Sequence, residues 1–488
     1  MIRVASTRKL DRTDVLIVFA EESASKDQKL VQRWEALSGD ASRRLAATLE
    51  KEGFKGRVGQ TLVWHAGDSN AERVLVAGCG KAALRDVDQT IRAAGAASRK
   101  AKEIGAARVA CTLPPAGKLG EERNAMAVAE GLILGAYEFD KYRARKENGK
   151  SFESVDLLGA PDRAVKLAEI YSRGTLFARD LVNTPAGDCA PRHLAEAAKK
   201  LAGPSVKVTV WGPKEIEKKA MGGLIGIGKG SDEPYQFIML RWEGKKGSKK
   251  VALCGKGITF DSGGLCIKPA DGMGTMKCDM SGAAAVLGAF SVISELKPDC
   301  TVYGYIPAAE NMTGGSAVKT GDVLRTASGK TIEVNNTDAE GRVVLADSLT
   351  IAREDKPDEI IDLATLTGAC VVALGDQVAG LFSNDDNLAA GIDAAGKRAG
   401  ERFWRMPIVA EYREMLKSDI ADIKNSGGRW AGAIQGALFL QEWAGDQPWA
   451  HLDIAGPAWT DRGLPFCQPG GTGFAVRTLL EYITAQGK

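Results

Sequence analysis

The chain has 488 residues, 44% of them hydrophobic and 26% charged, with a formal net charge of +3. That length predicts two domains rather than one core, and the near balance of charge argues against nucleic acid or an anionic membrane as a partner. Nine cysteines without a Cys-x-x-Cys pair predict reduced, buried thiols in a cytoplasmic protein, and neither a signal-peptide core nor an apolar run of bilayer-spanning length is expected.

In chain order, the first part alternates strand-like and helix-like segments: strands over 14–20, 73–77, 108–113 and 155–158, and helices over 41–52, 85–104 and 121–137. Lys146 to Lys150 is polar and turn-like. This alternation predicts an N-terminal α/β layer domain over 1–160. A helical pattern over 162–183, stopped at Thr184-Pro185, reads as a connecting helix that opens the second domain, 161–488. There strands are predicted over 206–211, 236–242, 250–254, 301–306, 359–364 and 449–454, and a turn with a short strand over 329–334. Helices are predicted over 281–296, 343–353, 388–398, 431–444 and 474–485. The fold class is therefore α/β in two domains, the larger C-terminal one built on a central, largely parallel or mixed sheet covered by helices.

The most informative stretch is Asn335-Asn336-Thr337-Asp338-Ala339-Glu340-Gly341-Arg342. Asp338, Glu340 and Arg342 sit at every second position, so an extended segment would turn two carboxylates and a guanidinium toward one spot. Upstream, the glycine-rich Gly255-Lys256-Gly257-Ile258-Thr259-Phe260-Asp261-Ser262-Gly263-Gly264 offers an acid and a lysine, followed by Lys268 and Asp279. Lys256 and Thr365 lie just past predicted strands, where open α/β sheets bind ligands. Four carboxylates in one place are costly without compensation, and two divalent cations would neutralise them and activate a water. Oxygen ligands suit Mg, Mn, Co or Zn, and His65, His193 and His451 lie outside the motifs. Taken singly, Asp338 reads as a helix N-cap and Glu340 as a first-turn acid. Joined to the upstream block, they read as a dinuclear metal hydrolase.

Both motifs resemble the leucyl aminopeptidase family, whose signature matches Asn336 to Arg342. Further matching blocks are Met276 to Met280, Pro307 to Asn311, Asp362 to Ala369 and Gly428 to Ala433, in the family's order. The resemblance implies a metal-dependent aminopeptidase that removes N-terminal residues, leucine and similar apolar ones favoured, from short peptides. It implies two metal ions per subunit, Mn or Zn foremost and Mg or Co as alternatives, with Asp261 and Glu340 bridging both. Lys256 and Asp279 would complete the tighter site, and Asp338 the more exchangeable one. A lysine binds metal only as the neutral amine, so the ions must displace a proton from a group whose free pKa is roughly 10.4. A bridging water or hydroxide is the implied nucleophile. Lys268 is the implied cation at the oxyanion, and Arg342 the holder of a bicarbonate that acts as general base. The implied side-chain pocket is Met276, Thr365, Gly368 and Ala455. The family forms homohexamers, which is the expectation here, with no membrane or nucleic-acid partner. Two rival readings are a Cys-Gly dipeptidase and a nucleic-acid-binding or regulatory protein on the same scaffold. Glu310 and Asn311 read as structural or as supports behind the ligands, not as ligands themselves, and His451 as a packing histidine.

Overall fold

The computed structural model describes residues 1–22, 34, 36–66, 70–144 and 152–486. The polar turn expected at 146–150 lies outside them. The chain divides into two compact units, Met1–Arg173 with Asp461–Pro469, and Gly174–Thr460 with Gly470–Lys488. The helix Asp162–Asn183, predicted to the residue, contains the point of division.

Among the described residues, the first unit holds six strands: Arg3–Thr7 (β1), Thr13–Ala20 (β2), Thr61–His65 (β3), Ala71–Gly78 (β4), Val109–Cys111 (β5) and Ser154–Leu158 (β6). They lie in the order β1-β6-β5-β2-β4-β3. Central β2 is apolar and buried on both faces, as parallel pairing under helices requires. Neither edge strand, β1 or β3, was expected. Each pairs on one side only and keeps polar or half-exposed positions, so neither carries a continuous apolar run. The helices Val87–Glu103 and Glu121–Gly135 cross through glycine, because a Cβ at Gly135 would stand 2.4 Å from the Gly95 carbonyl oxygen.

The second unit is built on nine strands: Val206–Trp211 (β7), Gln236–Trp242 (β8), Lys250–Gly255 (β9), Gly257–Asp261 (β10), Thr301–Asn311 (β11), and then Glu359–Ala364, Val378–Ser383, Arg402–Arg405 and Trp449–Asp453. The last four flank β9 on one side, with Glu359–Ala364 directly beside it and Trp449–Asp453 next. On the other side come β11, β8 and β7, and β10 pairs with the far end of β11. Pairing is parallel through the centre and antiparallel between β11 and β8, β8 and β7, and Val378–Ser383 and Trp449–Asp453. The sheet is therefore mixed, as expected. Three of its strands were not expected: β10, which lies in the stretch read as a glycine-rich turn, and Val378–Ser383 and Arg402–Arg405, which form one edge.

Register brings the functional ends together. Leu363 pairs with Gly255 and Ala364 with Asp453, so Lys256, Thr365 and Ala455 all follow the carboxyl ends of three adjacent parallel strands. The apolar helix Ser281–Leu296 packs on this centre, with Gly282 at its start. Together with the preceding turn it forms a run, Met276–Leu296, whose length and composition would suffice to cross a membrane, contrary to the expectation that no stretch would. Its most apolar window is 83% buried inside the protein, so it is a core helix.

A Cβ at Gly282 would lie 2.1 Å from the Leu363 carbonyl oxygen and 2.9 Å from the Lys256 amide nitrogen. Gly282→Ala is therefore expected to lower stability by at least about 1–3 kcal/mol, the usual cost of overpacking, and the denaturant midpoint of the purified protein measures it.

Candidate metal centre

Lys256 is the single residue between β9 and β10. Its backbone is fixed on both sides: its N–H donates to Leu363 O (2.9 Å) and its carbonyl accepts from the Ala283 N–H (2.9 Å). The buried side chain runs along the helix Glu340–Glu354, against Gly341. A Cβ at Gly341 would stand 2.5 Å from Lys256 Nζ, so only glycine leaves the lysine its path. The ammonium then meets Asp279 Oδ2 at 2.8 Å and Glu340 Oε1 at 2.7 Å, and donates to Thr365 O at 3.1 Å.

Asp261 ends β10. Its Oδ1 accepts from the Gly263 N–H (2.8 Å) and from Asn311 Nδ2 (2.9 Å), while its Oδ2 faces Lys268 Nζ at 2.8 Å. Lys268 also reaches Asp338 Oδ1 at 2.5 Å. The turn between Asp261 and Lys268 depends on Gly263 and Gly264, whose φ values are +84° and +63°. A Cβ on Gly263 would lie 2.8 Å from Asp338 Oδ1. Asp279 sits in the short turn Met276–Met280 ahead of the core helix and accepts from Thr365 Oγ1 at 2.8 Å.

The signature stretch is not extended, contrary to the alternation argument. Residues 336–339 form a turn, stabilised by Asn336 Oδ1 accepting from the Asp338 N–H (3.0 Å), and Glu340 is the first residue of the helix. Asp338 and Glu340 converge because the chain bends between them. Arg342, one helical step on, donates from Nη1 to Asn425 O at 2.9 Å. Its Nε is buried without a hydrogen-bond partner.

One oxygen each from Asp261, Asp338 and Glu340 lies within 4.8 Å of the other two, and Lys256 ties Asp279 to Glu340. Electrostatics follow from this crowding. Burial pulls the Lys256 ammonium down, but Asp279, Glu340 and Asp261 outweigh it and raise its pKa. Lys268 rises for the same reason, beside Asp261 and Glu340. Burial raises Asp261, Asp279 and Asp338 despite their lysine partners. Burial lowers Arg342 to about 10, against the pull of Glu340 and Asp453. Four carboxylates thus face two ammoniums, and Glu340 Oε2 is buried with no hydrogen-bond partner. These residues fit divalent cations, which would take up the excess negative charge and the orphaned oxygen.

The expected pocket residues fall on the loops around this cluster. Met276 opens the turn that carries Asp279, Thr365 touches Asp279, and Gly368 starts a helix capped by Thr367 Oγ1, which accepts the Cys370 N–H at 3.0 Å. Ala455 is joined to that segment through Asp453. The Asp453 carboxylate accepts from Ala455 N and Leu366 N (both 3.2 Å) and from Thr367 Oγ1 (2.7 Å). Neither Asp453 nor Thr337 was expected at the site. Thr337 Oγ1 donates to Gly263 O (2.6 Å) and accepts the Cys266 N–H (2.7 Å), which joins the two motifs. An acid inside an apolar strand was the available signal for Asp453. His451 is the packing group expected, its Nδ1 2.5 Å from Asp362 Oδ1. Eight of the nine cysteines are buried thiols, and Cys266, in the turn before Lys268, departs from that expectation by being half-exposed.

Comparison with known proteins adds an independent line. Residues 176–480 match the profile described as the cytosol aminopeptidase family, catalytic domain, and residues 15–146 match that family's N-terminal domain. A protein of Geobacter sp. (strain M21) named "Probable cytosol aminopeptidase" is 43% identical, over 99% of each chain. One of the same name from Roseiflexus castenholzii is 46% identical, over 89% of this chain and 92% of the relative. Among solved structures, a tomato leucine aminopeptidase mutant superposes with a TM-score of 0.89 at 34% identity, covering 99% of this chain and 96% of that one. The bottromycin maturation enzyme BotP in complex with Mn gives 0.86 at 37% identity, covering 97% and 99%.

If Asp279, Asp338 and the neutral amine of Lys256 are ligands, an ion bound here requires both acids deprotonated and the lysine to have released its proton. All three requirements favour higher pH. Mn affinity is expected to rise from pH 6 to pH 8, by about tenfold per pH unit for each proton released. Calorimetric titration at several pH values measures it, and a flat profile would remove Lys256 from the ligand set.

Proposed function

We propose, from the premise that this chain belongs to the cytosol aminopeptidase family, how its residues carry out that family's reaction. The protein is a metal-dependent aminopeptidase acting on peptides. The observation that carries the residue assignment is the convergence of Asp261, Asp338 and Glu340 beside two lysines that each bridge two carboxylates.

In this reading Asp261, Asp279, Asp338, Glu340 and the neutral amine of Lys256 hold two divalent ions, Mn or Zn foremost. Such ions, when bound, supply Lewis-acid polarisation of the scissile carbonyl and activation of water. Lys268 stays cationic, because its neighbours Asp261 and Asp338 favour the ammonium. It donates a hydrogen bond to the carbonyl oxygen as negative charge develops there. The glycine-rich turn that precedes it lets backbone approach the substrate closely. Arg342 would hold a small anion such as bicarbonate, since its guanidinium is buried, has no carboxylate ion-pair partner among the described residues and has a free Nε. Met276, Thr365, Gly368 and Ala455 form the side-chain pocket. They are small or apolar, which favours leucine-like N-terminal residues. One methylene in such a pocket is worth only about 1–3 kcal/mol, so selectivity is broad. We assign the protein to the cytoplasm and to a homohexamer, as the resemblance implies.

Chelation followed by return of Mn or Zn is expected to abolish and then restore hydrolysis of leucine p-nitroanilide. Persistence of full activity after exhaustive chelation would sink the mechanism. Turnover of leucine amide should exceed that of Cys-Gly, and a nitrophenyl phosphate should not be cleaved. Lys268→Ala is expected to lower kcat by about 10²–10³-fold, as loss of an oxyanion donor does, with bound metal retained. Near-wild-type turnover would remove Lys268 from the oxyanion role.

A further inference from the structure

The turn that carries Asp338 and Glu340 takes most of its side-chain hydrogen bonds to backbone from one residue in a distant part of the chain. Asn425 follows the short strand Ile423–Lys424 and is 0% exposed. Its Oδ1 accepts the N–H groups of Asn335 (3.0 Å) and Asn336 (3.3 Å). Its Nδ2 donates to the carbonyls of Asn336 (2.7 Å) and Ala339 (3.4 Å). Its backbone carbonyl accepts from Arg342 Nη1 at 2.9 Å. The amide therefore grips the backbone on both sides of Asp338 and anchors the guanidinium beyond Glu340. Beside it, Asn335 Nδ2 donates to Ser426 O (2.7 Å) and Asn335 Oδ1 accepts the Ser426 N–H (3.1 Å), which closes a reciprocal pair.

We propose that Asn425 is a positioning residue that sets the metal-binding geometry of the Asp338–Glu340 turn and the orientation of Arg342. The inference rests on the reading of Asp338 and Glu340 as metal ligands. Only a primary amide of this length meets the demand. Aspartate has the same shape but no donor, so it would press an acceptor against two carbonyl oxygens. Glutamine is one methylene too long, and serine offers a single oxygen. Asn311 Nδ2 also donates to Thr337 O (3.0 Å), but only the Asn425 amide spans both sides of Asp338, and without it the carboxylates are not held to the tolerance a metal site needs.

The test compares the full-length wild-type protein with Asn425→Asp. Mn stoichiometry and Kd are measured by equilibrium dialysis, the bound ions by electron paramagnetic resonance, and Tm on the chelated proteins. The expected result is a lowered Tm of the chelated protein together with Mn binding weakened at least tenfold at the weaker site and a changed Mn spectrum in the protein that remains folded. A purely structural role would lower that Tm alone and leave the affinity and spectrum of the folded fraction unaltered. Two Mn ions bound to Asn425→Asp with wild-type affinity overturn the proposal. If that variant does not fold, Asn425→Ser, which is neutral and too short to make all four bonds of the amide, takes its place. Weaker Mn binding by it supports the clamp, and unchanged binding overturns it. A wild-type protein that binds no Mn overturns the ligand reading itself and the clamp with it.

Discussion

The burial of four carboxylates around two lysines is the constraint on which the rest of the catalytic unit depends. In water such a cluster would disperse, and in a protein interior each unpaired charge costs several kcal/mol or shifts its pKa toward neutrality. Here the lysines each bridge two acids, yet negative charge remains in excess. The raised pKa values of Asp261, Asp279 and Asp338 express that strain. A cluster of this kind is stable only on a rigid frame, and the frame is the parallel centre of the large sheet.

The frame works through close approach. Gly255, Gly282 and Gly341 let a strand, a helix and the Lys256 side chain pass at distances that no other residue permits. Three of the four acids are then oriented by partners outside the cluster: Asp261 by Asn311, Asp279 by Thr365, and the Asp338 turn by Asn425. These supports come from three separate segments, so the site is assembled by the tertiary fold and not by either motif alone. Asp453 extends the same logic to the neighbouring loops, where one buried carboxylate joins Leu366, Thr367 and Ala455. The acid cluster and the segment of Leu366, Thr367 and Ala455 are thereby built on adjacent strand ends and share their rigidity.

The sequence by itself determined the class of fold, the central strands and helices, and the ligand candidates. Apolar runs such as 14–20 and 281–296 are long enough to declare their structure, and acids set among glycines have few bland explanations. Edge strands were illegible because Arg3–Thr7 and Thr61–His65 bury too little to leave a pattern. The convergence of Asp338 with Glu340 was read for a wrong reason, because alternation assumes an extended chain and the helix begins at Glu340. What only the tertiary structure decided is which distant side chains complete the site. Asn425 lies some ninety residues from the turn it grips, and Asn311 lies fifty from Asp261. Hydrogen bonds between remote segments leave no periodicity in a single chain, since their geometry exists only after the sheet has brought those segments together.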